Sequence, residues 1–514
     1  MPVKDSAAVI LMFTVLWFAA AVPVYQSPLG HYPVVDAAWH NAWAQDIARG
    51  DVFVFSPYFR APLYPAVLGL VYSIFGDSIV SGTLLSLLFG ILSVHLIHRI
   101  VFDRAGRKAS LVSASVWMLY GVNLFYTTTL LITPMYTFLL LCSFYLLDRD
   151  RPDYRGWVFL GLAAITRPGA VLLLPVALIL YRKIWKWSWL FFVPVALVWM
   201  INGVHGDWGT VISSQGGINL YIGNGPDADG FTAFAPGEET VSADSFSYPD
   251  NVWAASNAPF EEPVPPSEVS SWWVVRTVRF VADDPLRFLQ LTARKLLYLI
   301  SPVAVPSNYD IYYMARYSPV LKVLAGTPRV PVSGLLIWLL IPGALLAGKL
   351  NFREKNSLLW ASVLAAGVLP FFVTARFRLP IVPFMVIFLV PRVLKNTGRS
   401  LLLGSAGVAA GLFIAWATAG TVEAGGVNMA FHDGVAHFRQ GDSAGAEVLL
   451  LEAVDIAFSR EDDVDLNGVD ALFNLGVISI RRGDTESAVF YWEKAVFRDP
   501  DYAPARQALA GLTR

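Results

Sequence analysis

Apolar runs at 7–25, 79–102, 109–122, 132–147, 157–165, 169–181, 187–201, 332–347, 358–373, 379–394 and 401–419, separated by more polar segments, restrict this chain more than any motif in it. Inside a bilayer no water is available to backbone amides and carbonyls. Runs of this kind must therefore satisfy them internally, as membrane-crossing helices. A twelfth run, 62–75, is short and reads as an interfacial or tilted segment. The weak Lys4/Asp5 start lacks the charged region of a signal peptide, so 7–25 is kept as the first helix. With 55% of its 514 residues hydrophobic and 15% charged, the chain has too little polar material for a water-soluble surface. A net charge of −1 speaks against a nucleic-acid partner. The single cysteine, Cys142, lies in an apolar run and supports neither a disulfide framework nor a thiolate metal site.

Lysines and arginines orient these helices. Arg99, Arg104, Arg107 and Lys108, then Arg149, Arg151 and Arg155, then Arg182, Lys183 and Lys186, and finally Lys349, Arg353, Lys355, Arg392, Lys395 and Arg399 fall on alternate turns. The positive-inside rule makes those turns cytoplasmic. About eleven crossings result, with the N-terminus inside and the C-terminus outside. The loop at 26–61 and the long region 202–330 are then extracytoplasmic.

Four arginines break that pattern. Arg60 lies in the first outer loop, Arg167 in AAITRPGAV, and Arg376 and Arg378 in TARFRLP, all at predicted outer tips. A cation at bilayer depth costs a few kcal/mol unless it is paired or hydrated. Snorkelling to lipid headgroups explains any one of them. A shared anionic ligand explains all four. The helix predicted at 285–299, PLRFLQLTARKLLYL, sets Arg287, Arg294 and Lys295 among apolar residues, the pattern of a helix lying on a membrane surface. A lipid phosphate reaching the site sideways from the outer leaflet matches both the depth and the sign of these charges.

FSPYFRAPLYPAVLGLVYSIFG, LAAITRPGAVLLLP, SSQGGINLYIGNGPDADG, RKLLYLISPVAVPSNYDIYY and TARFRLPIVPF, in that order, resemble successive stretches of bacterial C-type membrane glycosyltransferases, the superfamily of protein O-mannosyltransferases and aminoarabinose transferases. The resemblance covers most of residues 1–395. It implies a polyprenyl-phosphate-linked sugar donor, transfer on the outer face, and an acidic catalytic base early in the first outer loop. The matching position is Asp36. Chemistry supports that role: a carboxylate takes the proton of an acceptor hydroxyl, while Arg60, Arg167, Lys295, Arg376 and Arg378 neutralise the departing phosphate. A single displacement predicts inversion at the anomeric carbon.

Substrate contacts are expected from His40, Tyr64, Asn219, Tyr221, Asn224 and Asp310. His40 is one helical turn from Asp36, and its two readings are acceptor or metal contact and an interfacial histidine bonding Asp36. No second metal-ligand motif accompanies it, so no metal site is assigned, and a divalent ion stays an open alternative. The sequence departs from its relatives at Thr133, where many carry an acidic residue. Asp310 in SNYDIYY and Asp229 in GPDADG are candidate replacements, with loop capping as their plainer use.

After 419 the apolar runs stop. DALFNLGVISIRRGDTESAVFYWEKAVFRDP fits the tetratricopeptide pattern, with Gly476, Gly483, Ala488, Trp492, Ala495 and Pro500 at its small, aromatic and terminating positions. GVAHFRQGDSAGAEVLLLEAV supplies an earlier copy, and the insert SREDDVDLNG stretches the period. The expected organisation is an all-α polytopic membrane protein: an N-terminal transmembrane module at 1–201, an outer region at 202–330, further transmembrane helices at 331–419, and outer repeats at 420–514. The repeats would hold a protein or glycan acceptor, a partner enzyme, or only the transferase's own outer domain. The function read from this layout is a plasma-membrane (bacterial inner-membrane) glycosyltransferase. A lipid or glycan transporter or flippase should show a duplicated half with broken midplane helices, which is not found. A membrane-anchored scaffold would need one crossing only.

Overall fold

The computed structural model describes residues 3–53, 56–226, 228–232, 264–395, 397–458 and 466–512. Among them the chain is helical, without strands. The acidic insert expected after 458 lies outside the described residues over 459–465.

The first apolar run is α1 (Val3–Gln26). A short 3-10 turn at Pro28–Gly30 reverses the chain, and α2 (Asp36–Ala48) and α3 (Leu63–Phe75) follow. These two pack on each other, with Ile47 against Gly69, where a Cβ would lie 2.6 Å from the isoleucine methyl. Gly76, at φ 88°, ends α3, and Ser78 caps the next helix by accepting from the Ser81 amide at 3.1 Å. The predicted second and third crossings emerge as one 40-residue element, α4 (Ile79–Met118), broken at Gly106. There φ is 79°, so a glycine makes the turn that the basic residues flank.

Next come α5 (Gly121–Tyr126), α6 (Thr133–Leu147), α7 (Arg155–Ala164), α8 (Leu173–Leu180) and α9 (Trp189–Val204). The run expected as one helix at 169–181 opens with a 3-10 segment, Pro168–Leu172, with Pro168 in its first turn, where no backbone amide is needed. The described residues of 202–330 supply α10 (Gly216–Asn224), α11 (Pro266–Asp283), α12 (Pro285–Ile300), α13 (Ile311–Met314) and α14 (Pro319–Ala325). Apolar helices return as α15 (Val332–Leu345), α16 (Phe352–Val368), the short α17 (Ala375–Arg378), α18 (Val382–Leu394) and α19 (Thr397–Thr418). Among the described residues three stretches are long and apolar enough to cross a membrane: Val3–Gln26, Ile79–Met118 and Ala375–Leu394. Seven shorter apolar helices stand beside them.

The basic turns of 99–108, 148–155 and 349–395 are tied to carboxylates. Arg107 pairs with Asp5 at 2.7 Å, Arg104 with Asp148 at 2.6 Å, and Arg392 with Glu354 at 2.8 Å. Asn356 adds a 2.6 Å bond to Asp148. Each pairing joins helices far apart in sequence, so these turns brace that end of the bundle.

The C-terminal residues form helices α20 (Gly420–Arg439), α21 (Ser443–Phe458), α22 (Leu466–Arg481), α23 (Thr485–Arg498) and α24 (Ala503–Leu512). They stack as pairs whose close approach depends on glycine. A Cβ on Gly476 would meet the Trp492 indole at 2.3 Å, and one on Gly434 would meet Leu450 at 2.8 Å. The stack is seated on the outer region. Asp433, fully buried, accepts hydrogen bonds from the Tyr313 hydroxyl at 2.9 Å and from the Tyr317 hydroxyl, and Arg316 pairs with Glu452 at 2.9 Å. α20 also packs against the 28–30 turn that leads into α2.

Gly161 marks a close approach inside the bundle, since its Cβ would stand 2.3 Å from the Phe191 carbonyl oxygen. Gly161→Ala should force α7 and α9 apart at a cost of about 1–3 kcal/mol. Thermal unfolding of the purified protein checks this, with a lower midpoint expected.

Candidate functional site

Asp36 opens α2, where the partial positive charge of a helix N-terminus favours an acidic side chain. The preceding Val35 has φ 50° and ψ −121°, a conformation a β-branched residue adopts only under constraint. That constraint comes from both sides. Upstream, the Val34 amide donates to the Tyr309 hydroxyl at 3.3 Å. Downstream, the Asp36 carboxylate is held by two arginines: Arg60 on Oδ1 and Arg376 on Oδ2, 24 and 340 residues away in the chain.

All three side chains are largely buried; Asp36 is 8% and Arg376 9% exposed. Burial acts to raise the Asp36 pKa, but the Arg60 and Arg376 charges outweigh it and hold the carboxylate well below the usual range. The Arg60 guanidinium also lies over the Trp39 ring at 4.9 Å. Arg167 completes the group. Its Nη1 donates to the Arg376 carbonyl at 3.4 Å, and its guanidinium lies 4.5 Å from the Phe377 ring and 5.2 Å from the Tyr136 ring. Among the described residues it has no carboxylate partner. Arg376 shares the Phe377 ring, at 5.0 Å.

The expected arrangement placed the carboxylate opposite the arginines, with an anion between them. In the structure Arg60 and Arg376 lie directly on Asp36. Two buried cations and one buried anion are stabilised most by direct contact. Arg378 has other partners. Its guanidinium donates to the carbonyls of Tyr298, at 2.8 Å, Ser301 and Val303, bracing the end of α12.

Lys295 sits apart from the Asp36 pair. Fully buried on α12, its Nζ donates to Asn224 Oδ1 at 2.7 Å, and burial pushes its pKa down to about 8. Asn224 is committed to structure as well, donating to the Pro370 carbonyl at 2.7 Å and the Leu220 carbonyl at 2.8 Å. Tyr221 packs its ring 4.7 Å from Trp273, beside Arg276. Asn219, on the same helix, is half-buried, and its amide donates to the Gln215 carbonyl at 3.1 Å.

His40 is buried, with Nδ1 3.3 Å from the Leu130 carbonyl and its ring 5.2 Å from the buried Tyr64 ring. Burial pushes its pKa down to about 3, so it is neutral. Among the described residues no three His, Cys, Asp or Glu side chains gather as metal ligands. With both Asp36 oxygens on arginines and His40 turned to a carbonyl, these residues do not fit a divalent ion. Thr133, fully buried at the start of α6, supplies no carboxylate here.

Asp229 is a loop cap, accepting from the Phe231 and Thr232 amides at 2.9 and 2.8 Å. Asp310 likewise caps α13 through the Tyr312 amide at 2.7 Å, but burial pushes its pKa up to about 7. The tyrosines beside the charges were not singled out from sequence. Tyr136 lies in the apolar run of α6, and Tyr309 directly precedes Asp310.

Residues 59–204 match the family model of dolichyl-phosphate-mannose-protein mannosyltransferase. Over this stretch the chain is similar to that family of membrane glycosyltransferases. Two crystal structures of ArnT from Cupriavidus metallidurans are similar to it, each at 14% identity: the apo state over 82% of this chain and 79% of that one with a TM-score of 0.34, and the form bound to undecaprenyl phosphate over 77% and 79% with 0.33. A crystal structure of the Archaeoglobus fulgidus oligosaccharyltransferase, tethered to an acceptor peptide, is similar at 12% identity over 95% of this chain and 58% of that one, with a TM-score of 0.34. No curated protein sequence matches the chain.

Asp310 gives a pH signature. Its pKa is raised on folding from an ordinary 3.8 to about 7, so its contribution to stability is complete below pH 3.8 and is lost as pH rises to about 7. Asp310→Asn should flatten that decline by a few kcal/mol. Denaturation midpoints of wild type and variant at pH 5 and pH 8 measure it, with the two proteins diverging at pH 8.

Proposed function

We propose that this protein transfers a sugar from a polyprenyl-phosphate donor to an acceptor hydroxyl on the extracytoplasmic face of the membrane, by a single displacement with inversion. The observation that supports this best is the charge gathered around Asp36. Arg60, Arg167 and Arg376 bring three positive charges to one buried negative charge. An excess of guanidinium out of water is costly, and an anionic group relieves it. The matched family's donor, a lipid phosphate, is such a group.

In this reading Asp36 takes the proton of the acceptor hydroxyl as its oxygen bonds to the anomeric carbon. The bond from that carbon to the phosphate oxygen breaks, and its electron pair leaves with the phosphate. Arg60, Arg376 and Arg167 stabilise the charge that collects there. Lys295, on α12, is assigned to the approaching lipid phosphate. The ion-paired basic turns supply the cytoplasmic end by the positive-inside rule, which puts the N-terminus inside and the C-terminal helices outside. Those helices read as tetratricopeptide repeats. Their seat against the turn leading into Asp36 supports a role in presenting a protein acceptor.

The test is release of polyprenyl phosphate from a panel of polyprenyl-phosphate sugars by the purified protein. Wild type should turn over at least one donor. Asp36→Asn should fall by about 10²–10⁴-fold. Full activity in that variant would remove Asp36 as the base.

A further inference from the structure

We infer that Arg60 and Arg376 are exchanged between two anions during turnover: they hold the Asp36 carboxylate until a lipid phosphate arrives, then turn to the phosphate and release the carboxylate as base. The inference rests on the donor reading above and adds to it an order of events.

Three observations point to the exchange. First, the two arginines occupy different oxygens of Asp36, so the group assigned to accept a proton is tied on both sides. A carboxylate bound in this way is a poor proton acceptor, because protonation would leave two buried guanidinium groups without their counter-charge. Second, the start of α2 is under tension. Val35 is exposed, yet it holds a positive φ of 50° between the Val34–Tyr309 hydrogen bond and the doubly tethered Asp36. Backbone of this kind persists only where its surroundings over-determine it, and it relaxes when a tether is removed. Third, a landing point and a linkage are present. Arg167 rests on two aromatic faces with no carboxylate partner among the described residues, and it donates to the backbone carbonyl of Arg376. An anion drawn to Arg167 therefore arrives beside one of the arginines it must recruit.

A phosphate presents more acceptor oxygens than a carboxylate and takes guanidinium groups in pairs. The two anions thus compete for the same donors. Two consequences follow: the base is released only when the donor is in place, so the donor binds before the acceptor reacts, and Asp36 opposes binding of the group it helps to cleave.

Polyprenyl phosphate without a sugar isolates the competition. Its affinity is measured for the full-length wild type and for Asp36→Asn in lipid nanodiscs, with monodispersity confirming that each is folded. The variant should bind about tenfold more tightly, within the range of ordinary coupling between sites, although its turnover is lost. Binding by wild type with equal or weaker binding by the variant overturns the exchange and leaves the donor reading standing. Binding by neither protein overturns both.

A second measurement needs no variant. Hydrogen exchange of the wild-type amides at 36–40 should quicken when polyprenyl phosphate is bound, since the first turn of α2 loses its tethers. Slower exchange there means that the arginines stayed on Asp36, and the inference fails.

Discussion

The contact between one carboxylate and two guanidinium groups, Asp36 with Arg60 and Arg376, organises one end of this protein. It joins α2, the loop behind it and the turn at 375–378, which enter the fold far apart in the chain. Burying a lone carboxylate or a lone guanidinium is expensive, so each group requires the others. The requirement spreads outwards: Arg376 is positioned by the short helix Ala375–Arg378, Arg378 in that helix is held by three carbonyls near the end of α12, and the Ala375 amide donates to the Val305 carbonyl at 2.8 Å.

The two ends of the helical bundle use charge in different ways. At the basic turns, arginines and lysines meet carboxylates singly, as Arg104 does Asp148, or two to one, as Arg392 and Lys395 do Glu354. Around Asp36 a third cation, Arg167, joins Arg60 and Arg376, and among the described residues it rests on aromatic faces rather than on a carboxylate. This largely buried group of charges, edged by tyrosines, is the feature on which the proposed phosphate chemistry rests.

The C-terminal helices belong to the same construction. Their first helix contributes Met429, Ala430 and Phe431 to the core shared with the apolar bundle, and its buried Asp433 receives two tyrosine hydroxyls from the outer region. A stack anchored in this way holds a fixed place beside the approach to α2.

Apolar periodicity and the spacing of lysine and arginine were enough to read an all-helical membrane protein and to mark the unusual arginines, because burial in lipid leaves a chain few other solutions. The glycines and prolines that break helices at 106 and 168 were visible as residues, but their effect on neighbouring runs was not. Arg60, Arg167, Arg376 and Arg378 stood out in sequence because charge beside a membrane requires a reason, and Asp36 came from the resemblance; in the structure Arg60 and Arg376 meet Asp36, Arg167 lies beside them, and Arg378 and Lys295 have other partners. What each arginine does depended on partners hundreds of residues away. Arg376 and Arg378 are two positions apart in one helical turn, yet one meets a carboxylate and the other three carbonyls. Local pattern cannot separate them, because a guanidinium takes whichever acceptor the fold brings within reach. The sequence alone thus determined which charges had to be buried, and the tertiary structure decided which of them neutralise one another.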